Sequence, residues 1–417
     1  MNNYWTNVVR KSLKFLPQYK KVYHSLHNGA ENILLHSYVM DAINNVPYYS
    51  SYRNIYHSES DFKCLPIIRK SDIMRNEKSF ISKKACKRFL SKKETGGSTG
   101  LSLELFYSIS TIIKKEAVRD FLFSINGHSK NIATLRGNKP RNGEIVEVVN
   151  RSNIILSSYK LTTESIDVYV KALNDYKIDC LHVYPSSLII FARLINQLKR
   201  TPTFPYLKKI IASSEIFSKE DKLFIKRIFP EVQIIDYYGH NELACAAISV
   251  DNSPYTFLPS YGYVEFIETS ELTPSGNRIA EIVATSILNA DMPFIRYATD
   301  DYVELDKQGN PIAIIGRSSD FVVNRNKQLV PCIISTRPKS MENVISFQYY
   351  QEVVGKLTFK IKVSKEYSNQ NEKFLLEDLN NSFADIDCNI EIVDEIERTK
   401  RGKQLRMIQK LNINEYK

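Results

Sequence analysis

A chain of 417 residues, 43% hydrophobic and 25% charged, has ordinary globular composition but is too long for one core, so two or three domains are expected. No apolar run approaches the ~18 residues a membrane-spanning helix needs, and Met1-Asn2-Asn3-Tyr4-Trp5 lacks the apolar stretch of a signal peptide. The chain is therefore expected in the cytoplasm. The formal net charge of +11 sits wholly in residues 1–93, which hold 17 basic and 6 acidic side chains. With Trp5, Val8, Val9, Leu13 and Leu16, this segment suits either weak peripheral contact with acidic lipid or a solvated basic face. Nucleic acid is not an expected partner, because neither a reading helix nor strands with interleaved aromatics are present. The six cysteines are scattered without a C-x-x-C pair, which fits a reducing compartment and no zinc site.

Residues 1–60 read as helical pieces with breaks at Pro17 and Pro47. Leu65-Pro66-Ile67-Ile68-Arg69-Lys70-Ser71-Asp72-Ile73 places an extended segment before Ser71 as an expected N-cap. Next comes Glu94-Thr95-Gly96-Gly97-Ser98-Thr99-Gly100-Leu101, with a β-rich run over 102–107. Its glycines and hydroxyls suit a phosphate cradle, and equally a hairpin turn. It is neither a Walker A loop nor a dinucleotide fingerprint.

A helix is expected at 110–125, with strands at 144–149 and 153–156. From Thr163 the pattern becomes regular: helix 165–176, strand 180–184, helix 186–198, strand 209–212, helix 219–228 capped by Ser218 and Asp221, strand 232–235. This alternation implies parallel βαβ units with ligands beyond the strand C-termini, where Ser213-Ser214-Glu215 and Asp236 to Glu242 fall. After residue 255 come β-type stretches at 261–268, 278–285, 302–305 and 312–315. The last ~100 residues suit a small α+β domain, with strands at 356–363 and 389–393 around a helix near 370–382.

Four further clusters bear on the glycine loop. Tyr238-Gly239-His240-Asn241-Glu242 offers an aromatic to stack a planar base and a carboxylate for a metal on phosphate oxygens, or a plain strand-to-helix turn. In Phe294-Ile295-Arg296-Tyr297-Ala298-Thr299-Asp300-Asp301 a carboxylate is available for two ribose hydroxyls, although paired aspartates also suit a solvated turn. Gly316-Arg317-Ser318-Ser319-Asp320 suits a hinge or a polar turn. Arg398-Thr399-Lys400-Arg401-Gly402-Lys403 alone reads as a basic surface turn.

Taken in order, these five motifs resemble the adenylate-forming superfamily of acyl-CoA synthetases, luciferases and peptide-synthetase adenylation domains. The phenylacetate–CoA ligase-like branch, which includes the capsular-polysaccharide CapK-type proteins, is the nearest match, over about residues 60–410. The resemblance implies an α/β fold: a large N-terminal adenylation domain over 1–316, with parallel sheets and a β-rich subdomain, and a small mobile lid over 317–417. Residues 1–93 form its basic, largely helical leading segment.

The resemblance also implies the site. Thr95, Gly96, Gly97, Ser98, Thr99 and Gly100 close over the β- and γ-phosphates of ATP; Ser214 and Glu215 border the adenine; Tyr238, followed by Gly239, stacks on it. Glu242 holds Mg²⁺ beside His240 and Asn241, Asp301 binds the ribose, Arg317 assists ribose or phosphate, Asp320 is the hinge, and Lys403 reaches in from the lid. A carboxylate attacking a phosphate brings two anions together, and the metal and a flexibly tethered lysine meet that need.

Three departures stand out: Asn241 where threonine is usual, Asp300 where glycine is usual, and Ser319 where an acid is usual. The implied reaction forms an acyl-AMP with pyrophosphate release and passes the acyl group to coenzyme A or to an amine, for instance an amino sugar. The alternative is a non-catalytic ATP-binding or scaffold protein of polysaccharide assembly. A pocket wall of His182, Tyr184, Ser213, His240 and Ala244 points to a small polar acid.

Overall fold

The two early prolines open elements rather than break them, since a fixed φ and a missing N–H cost nothing at a first helical turn. The computed structural model describes residues 12–29, 35–95, 103–198, 202–273, 275–331, 340–383, 385–399 and 402–416. Pro17 starts α1 (Pro17–Asn28), α2 (Leu35–Asn45) follows, and Pro47 starts a 3-10 turn, Pro47–Asn54. Their apolar faces, with Tyr19, Val39, Ile43 and Tyr49, join one core with the β-rich part of the chain. Trp5, Val8 and Val9 lie outside the described residues, whereas Leu13 packs against that core.

The proline segment 65–68 is extended, and Ile68 bridges Tyr297 in parallel: its N–H donates to Arg296 O at 3.0 Å and its carbonyl accepts from Ala298 N at 2.9 Å. Ser71 is not the cap of the helix that follows. Arg69 holds that position before α3 (Lys70–Arg75), and its N–H donates to Asp72 Oδ2 at 2.8 Å, the ionised acceptor three residues on winning over the hydroxyl.

Strands β1 (Ser91–Glu94) and β2 (Glu104–Tyr107) pair antiparallel with Glu94 opposite Glu104, so the glycine loop joins the arms of a hairpin. Helix α4 (Ile109–Ser124) follows, its first turn capped by the Ser108 hydroxyl.

The central sheet has eight strands. In chain order these are β3 (Ile132–Leu135), β4 (Val146–Asn150), β5 (Asn153–Leu156), β6 (Cys180–Val183), β7 (Lys209–Ser213), β8 (Gln233–Gly239), β9 (Ala246–Val250) and β10 (Thr256–Phe257). Their order across the sheet is β10-β9-β8-β7-β6-β3-β5-β4, with β5, β3, β6, β7 and β8 mutually parallel as the βαβ pattern implied. The crossovers are α5 (Ile166–Asp175), α6 (Pro185–Asn196) and α7 (Lys219–Ile228), whose apolar stripes pack with the sheet into a second core. One expectation fails here: the turn after Glu242 leads into β9, antiparallel to β8, and not into a helix. The small apolar run Ala244-Cys245-Ala246-Ala247 is fully buried, which a sheet edge between two cores accommodates.

The β-rich part is an antiparallel sheet of β11 (Gly262–Leu272), β12 (Arg278–Ser286), β13 (Tyr297–Leu305) and β14 (Pro311–Arg317). Because β13 begins at Tyr297 and not near 302, Asp300 and Asp301 lie within a strand and not in a solvated turn. Irregular register beside them and a positive φ of 61° at Asp300 mark a bulge, which re-aims side chains.

The remaining chain holds a hairpin of β15 (Phe321–Val323) and β16 (Leu329–Pro331), then β17 (Val344–Gln351), β18 (Lys356–Val363), α8 (Asn369–Ser382), β19 (Asp387–Ile392) and β20 (Met407–Gln409). The sheet order is β19-β18-β17-β20 around a third core. β17 and β20 were not foreseen from sequence.

Arg296, the third residue of the Phe294 to Asp301 motif, clamps the leading segment to the β-rich sheet. Its guanidinium forks onto both oxygens of Glu265 at 3.0 Å and donates to Lys63 O at 2.7 Å and to Leu65 O. Both side chains of this ion pair are under 10% exposed. Arg296→Ala would leave Glu265 buried and unpaired, so a loss of about 3–5 kcal/mol is expected, read as a lower urea midpoint of the large domain.

Candidate functional site

A cavity of about 1100 Å³ opens beyond the C-terminal ends of β6, β7 and β8 and is closed on the other side by β13, β14, Thr399 and residues 403–406. Parallel strands put their C-terminal turns on one edge, so Ser186, Ser213 to Glu215 and Tyr238 to Glu242 converge there. Antiparallel pairing of β13 with β14 sets Asp301 opposite Arg317 and delivers both to the same cavity.

Asp301 is the hub of the nucleotide-side wall. Tyr238 Oη donates to its Oδ2 at 2.8 Å, and Arg317 Nε donates to Oδ1 at 3.2 Å. The Asp301 carboxylate raises the Arg317 pKa above its already high ordinary value, with Glu242 and Asp320 adding to it. Gly239 is required next to Tyr238: a Cβ there would fall 2.7 Å from the Tyr237 hydroxyl.

Glu242 is 8% exposed and lies 3.2 Å from Nδ1 of His240. Burial works against its charge, yet His240 and Arg317 hold its pKa below the ordinary carboxylate range. Against the same burial, Cys245 and Glu242 push His240 up to about 10. Asn241 offers its backbone carbonyl to the Tyr107 hydroxyl, which fixes the turn against β2.

Ser214 adopts a φ of 75°, a conformation that costs a non-glycine residue energy and is tolerated where surroundings over-determine it. Its hydroxyl accepts from Arg136 Nη2 at 2.8 Å. Glu215 accepts backbone N–H bonds on both oxygens, from Ser186 at the start of α6 at 2.9 Å and from Gln404 at 3.0 Å. Lys403, next to Gln404, therefore enters the cavity, its ammonium 5.9 Å from the Tyr184 ring. Gly402 fits because a Cβ there would fall 2.5 Å from Gly137 Cα and from the Tyr159 hydroxyl.

Thr95 also lines the cavity, with Leu103 N donating to its Oγ1 at 2.9 Å. Gly96, Gly97, Ser98, Thr99 and Gly100 lie outside the described residues. The other ATP-site and hinge residues selected from sequence line this cavity, including Gly239, His240, Asn241 and Asp320; of the expected acid-pocket wall, His182, Ser213 and His240 line it, whereas Tyr184 and Ala244 are buried and do not. Among the described residues no cluster of three or more His, Cys, Asp or Glu side chains is arranged to hold a metal. A lone ionised carboxylate such as Glu242 is the donor type that Mg²⁺ takes when phosphate oxygens and water supply the rest.

Reading the sequence missed Arg136, Lys115, Arg119, Arg193 and Arg406, all lining the cavity. The signal for Arg136 was the apolar Ile132-Ala133-Thr134-Leu135, a strand ending where the parallel sheet places its ligands.

Residues 322–410 match the family model described as the CapK C-terminal domain. The chain carries the adenylate-forming fold and a CapK-type C-terminal domain. Protein CapK of Staphylococcus aureus is 25% identical over 375 residues, covering 82% of this chain and 78% of that protein. A 2-hydroxyisobutyryl-CoA ligase structure in the postadenylation state, in complex with 2-HIB-AMP, superposes with a TM-score of 0.63 at 14% identity, covering 90% of this chain and 88% of that one. An anthranilate CoA ligase in complex with anthranoyl-AMP gives 0.53 at 15% identity, covering 75% and 64%. The expected α/β architecture holds, and the likeness to CapK is that of the C-terminal domain match and a 25% identical relative.

Asp320 sits where the CapK-type domain begins, its Oδ2 accepting Arg317 N at 2.8 Å. Burial pushes its pKa up to about 6 from 3.8, against the pull of the Arg317 backbone bond and charge. A carboxyl with a raised folded pKa costs stability when ionised, so that cost is full above pH ~6 and vanishes below pH ~4. Asp320→Asn, which keeps the acceptor oxygen, is expected to be more stable than wild type by about 2–3 kcal/mol at pH 7.5. The difference should close as denaturation midpoints are followed down to pH ~4.

Proposed function

We propose that this protein is an ATP- and Mg²⁺-dependent ligase that activates a carboxylic acid as its acyl-adenylate and passes the acyl group to coenzyme A or to an amine. The observation that carries this reading is the convergence in one cavity of Tyr238, Glu242, Asp301 and Arg317 from the large domain with Lys403 from the CapK-type domain. Two solved proteins of this fold hold acyl-AMP molecules, by their descriptions.

In the first half-reaction a carboxylate oxygen of the acid attacks the α-phosphorus of ATP. The new O–P bond forms as the bond to the β-phosphate oxygen breaks, and pyrophosphate leaves. Tyr238 offers its ring to the adenine, and Asp301 exchanges its Tyr238 and Arg317 partners for ribose hydroxyls. Lys403 places a cation beside the two approaching anions, where the increase in negative charge is greatest. Glu242 would hold Mg²⁺, which neutralises phosphate charge when bound. In the second half-reaction a thiol or amine attacks the acyl carbon and AMP departs. A CapK-type resemblance favours an amine such as an amino sugar of a surface polysaccharide, and a cytoplasmic site of action. Among the described residues no helix is long and apolar enough to cross a membrane.

Exchange of labelled pyrophosphate into ATP, screened over carboxylic acids, tests the reading directly. Lys403→Ala is expected to lower the exchange rate by roughly 10²–10³-fold, while calorimetry shows ATP still bound. Exchange at the wild-type rate would remove Lys403 from its assigned place. No ATP binding by the wild type in the presence of Mg²⁺ would favour a scaffold role.

A further inference from the structure

The cavity wall formed by α4 and the ends of β3 and β6 carries basic side chains that no step above uses. Lys115 and Arg119, one turn apart on α4, line it together with Arg136, which follows β3, and His182 on β6. Leu135 lies opposite Val183 in the parallel β3–β6 pair, so Arg136 and His182 meet, with Arg136 Nη1 3.0 Å from His182 Nε2. A guanidinium only donates, so His182 accepts there as the neutral imidazole. Burial, with Arg136 and Arg119 nearby, holds its pKa well below the ordinary value. The cation of this pair is Arg136.

The other contacts of Arg136 are neutral as well. Nη2 donates to Ser214, the guanidinium carbon lies 4.5 Å from the Tyr184 ring centroid, and Nε is buried without a hydrogen-bond partner. Glu215 attracts Arg136 through space, but both its oxygens are taken by backbone N–H groups. The Lys115 ammonium sits 4.7 Å over the Tyr107 ring, and Arg119 pairs with Glu116 at 3.3 Å. Burial lowers the pKa of both Lys115 and Arg136, as expected of cations without a close counter-charge. The cavity's other acids are engaged: Asp301 by Tyr238 and Arg317, Glu242 by His240, and Asp236 by Lys222 at 2.7 Å. A half-buried guanidinium without a carboxylate is costly unless an occupant supplies one.

We propose that Arg136, with Lys115 and Arg119 behind it, forms an anion subsite that receives a second negatively charged group, a carboxylate or phosphate, on the acid substrate. The proposal rests on the ligase reading and sharpens the small polar acid expected from the sequence into a dianionic one. Lys403 meets the reacting carboxylate, and Arg136 reads the far end of the molecule.

The test is pyrophosphate exchange with matched acids: succinate against succinamate, glutarate against valerate, and 3-phosphonopropionate against butyrate. Wild type is expected to favour the dianionic member by at least about tenfold in kcat/KM. Arg136→Ala should bring each pair to within about twofold, mainly through KM, and Arg136→Lys should keep part of the preference. Equal losses on both members would assign Arg136 to the reacting carboxylate and overturn the proposal. A loss confined to the KM for coenzyme A would overturn it too, by moving the anion to that cosubstrate's phosphates. Calorimetry of 3-phosphonopropionate with the full chain saturated in α,β-methylene-ATP and Mg²⁺, whose α–β bridge cannot be cleaved, reads the subsite without turnover. Binding should weaken at least about tenfold in Arg136→Ala, and no binding to wild type, or equal binding to both, would overturn the proposal. Arg136-dependent binding without exchange of any acid would keep the subsite and sink the ligase reading, so the two failures are distinguishable.

Discussion

Glu215 is the point on which the arrangement of the cavity depends. One carboxylate oxygen is tied to Ser186 N, where the N-terminus of α6 presents unsatisfied donors, and the other to Gln404 N of the CapK-type domain. Burial pushes the pKa of this carboxyl up, while the two N–H bonds and Lys403 oppose the shift. Part of what holds its charge thus comes from the CapK-type domain. Because Lys403 adjoins Gln404, the bond that satisfies Glu215 also sets the Lys403 ammonium in place. Electrostatics and domain position are thus one constraint.

The same economy governs the nucleotide-side wall. Asp301 is occupied by Tyr238 and Arg317, one donor on each oxygen. Arg317 serves Asp301 and also helps hold Glu242 ionised, which links the two carboxylates through one guanidinium; under the proposed function these are the ribose and metal positions. Removing Arg317 would disturb both groups. Negative charge is thus paired within the large domain before any ligand arrives, and the cations with least compensation, Arg136 and Lys115, lie on the opposite wall.

Legibility in the sequence followed the range of the interactions. Helices and strands from 165 to 235 were set by local periodicity and capping, and Ser218 caps α7 through Asp221 N at 3.1 Å as its spacing implied. Four of the five motifs met in one cavity: Tyr238 to Glu242 at a parallel-strand end, Asp301 and Arg317 from the antiparallel β13–β14 pair, and Lys403 beside the Gln404–Glu215 bond. What escaped depends on partners far along the chain. β20 is a strand only because it lies parallel to β17, and β13 starts early because Ile68 pairs with Tyr297 from the far end of the sequence. Arg296 looked like part of a site motif, yet its fork onto Glu265 and the carbonyls of Lys63 and Leu65 makes it a clamp. Arg136 was invisible for the opposite reason: a short strand followed by an arginine has no local signature until its neighbours supply the cavity.

The CapK-type domain docks through polar and apolar contacts together. Gln404 N donates to Glu215, Arg398 Nη1 donates to Ser158 O at 3.1 Å, and Arg406 Nη2 lies 3.5 Å from Asp221, while Ile345 packs against the core of the central sheet. The domain also keeps its own apolar core around Tyr349, Phe359 and Leu379. Lys403 belongs to that domain, so the contacts that seat the domain also decide whether its ammonium reaches the cavity.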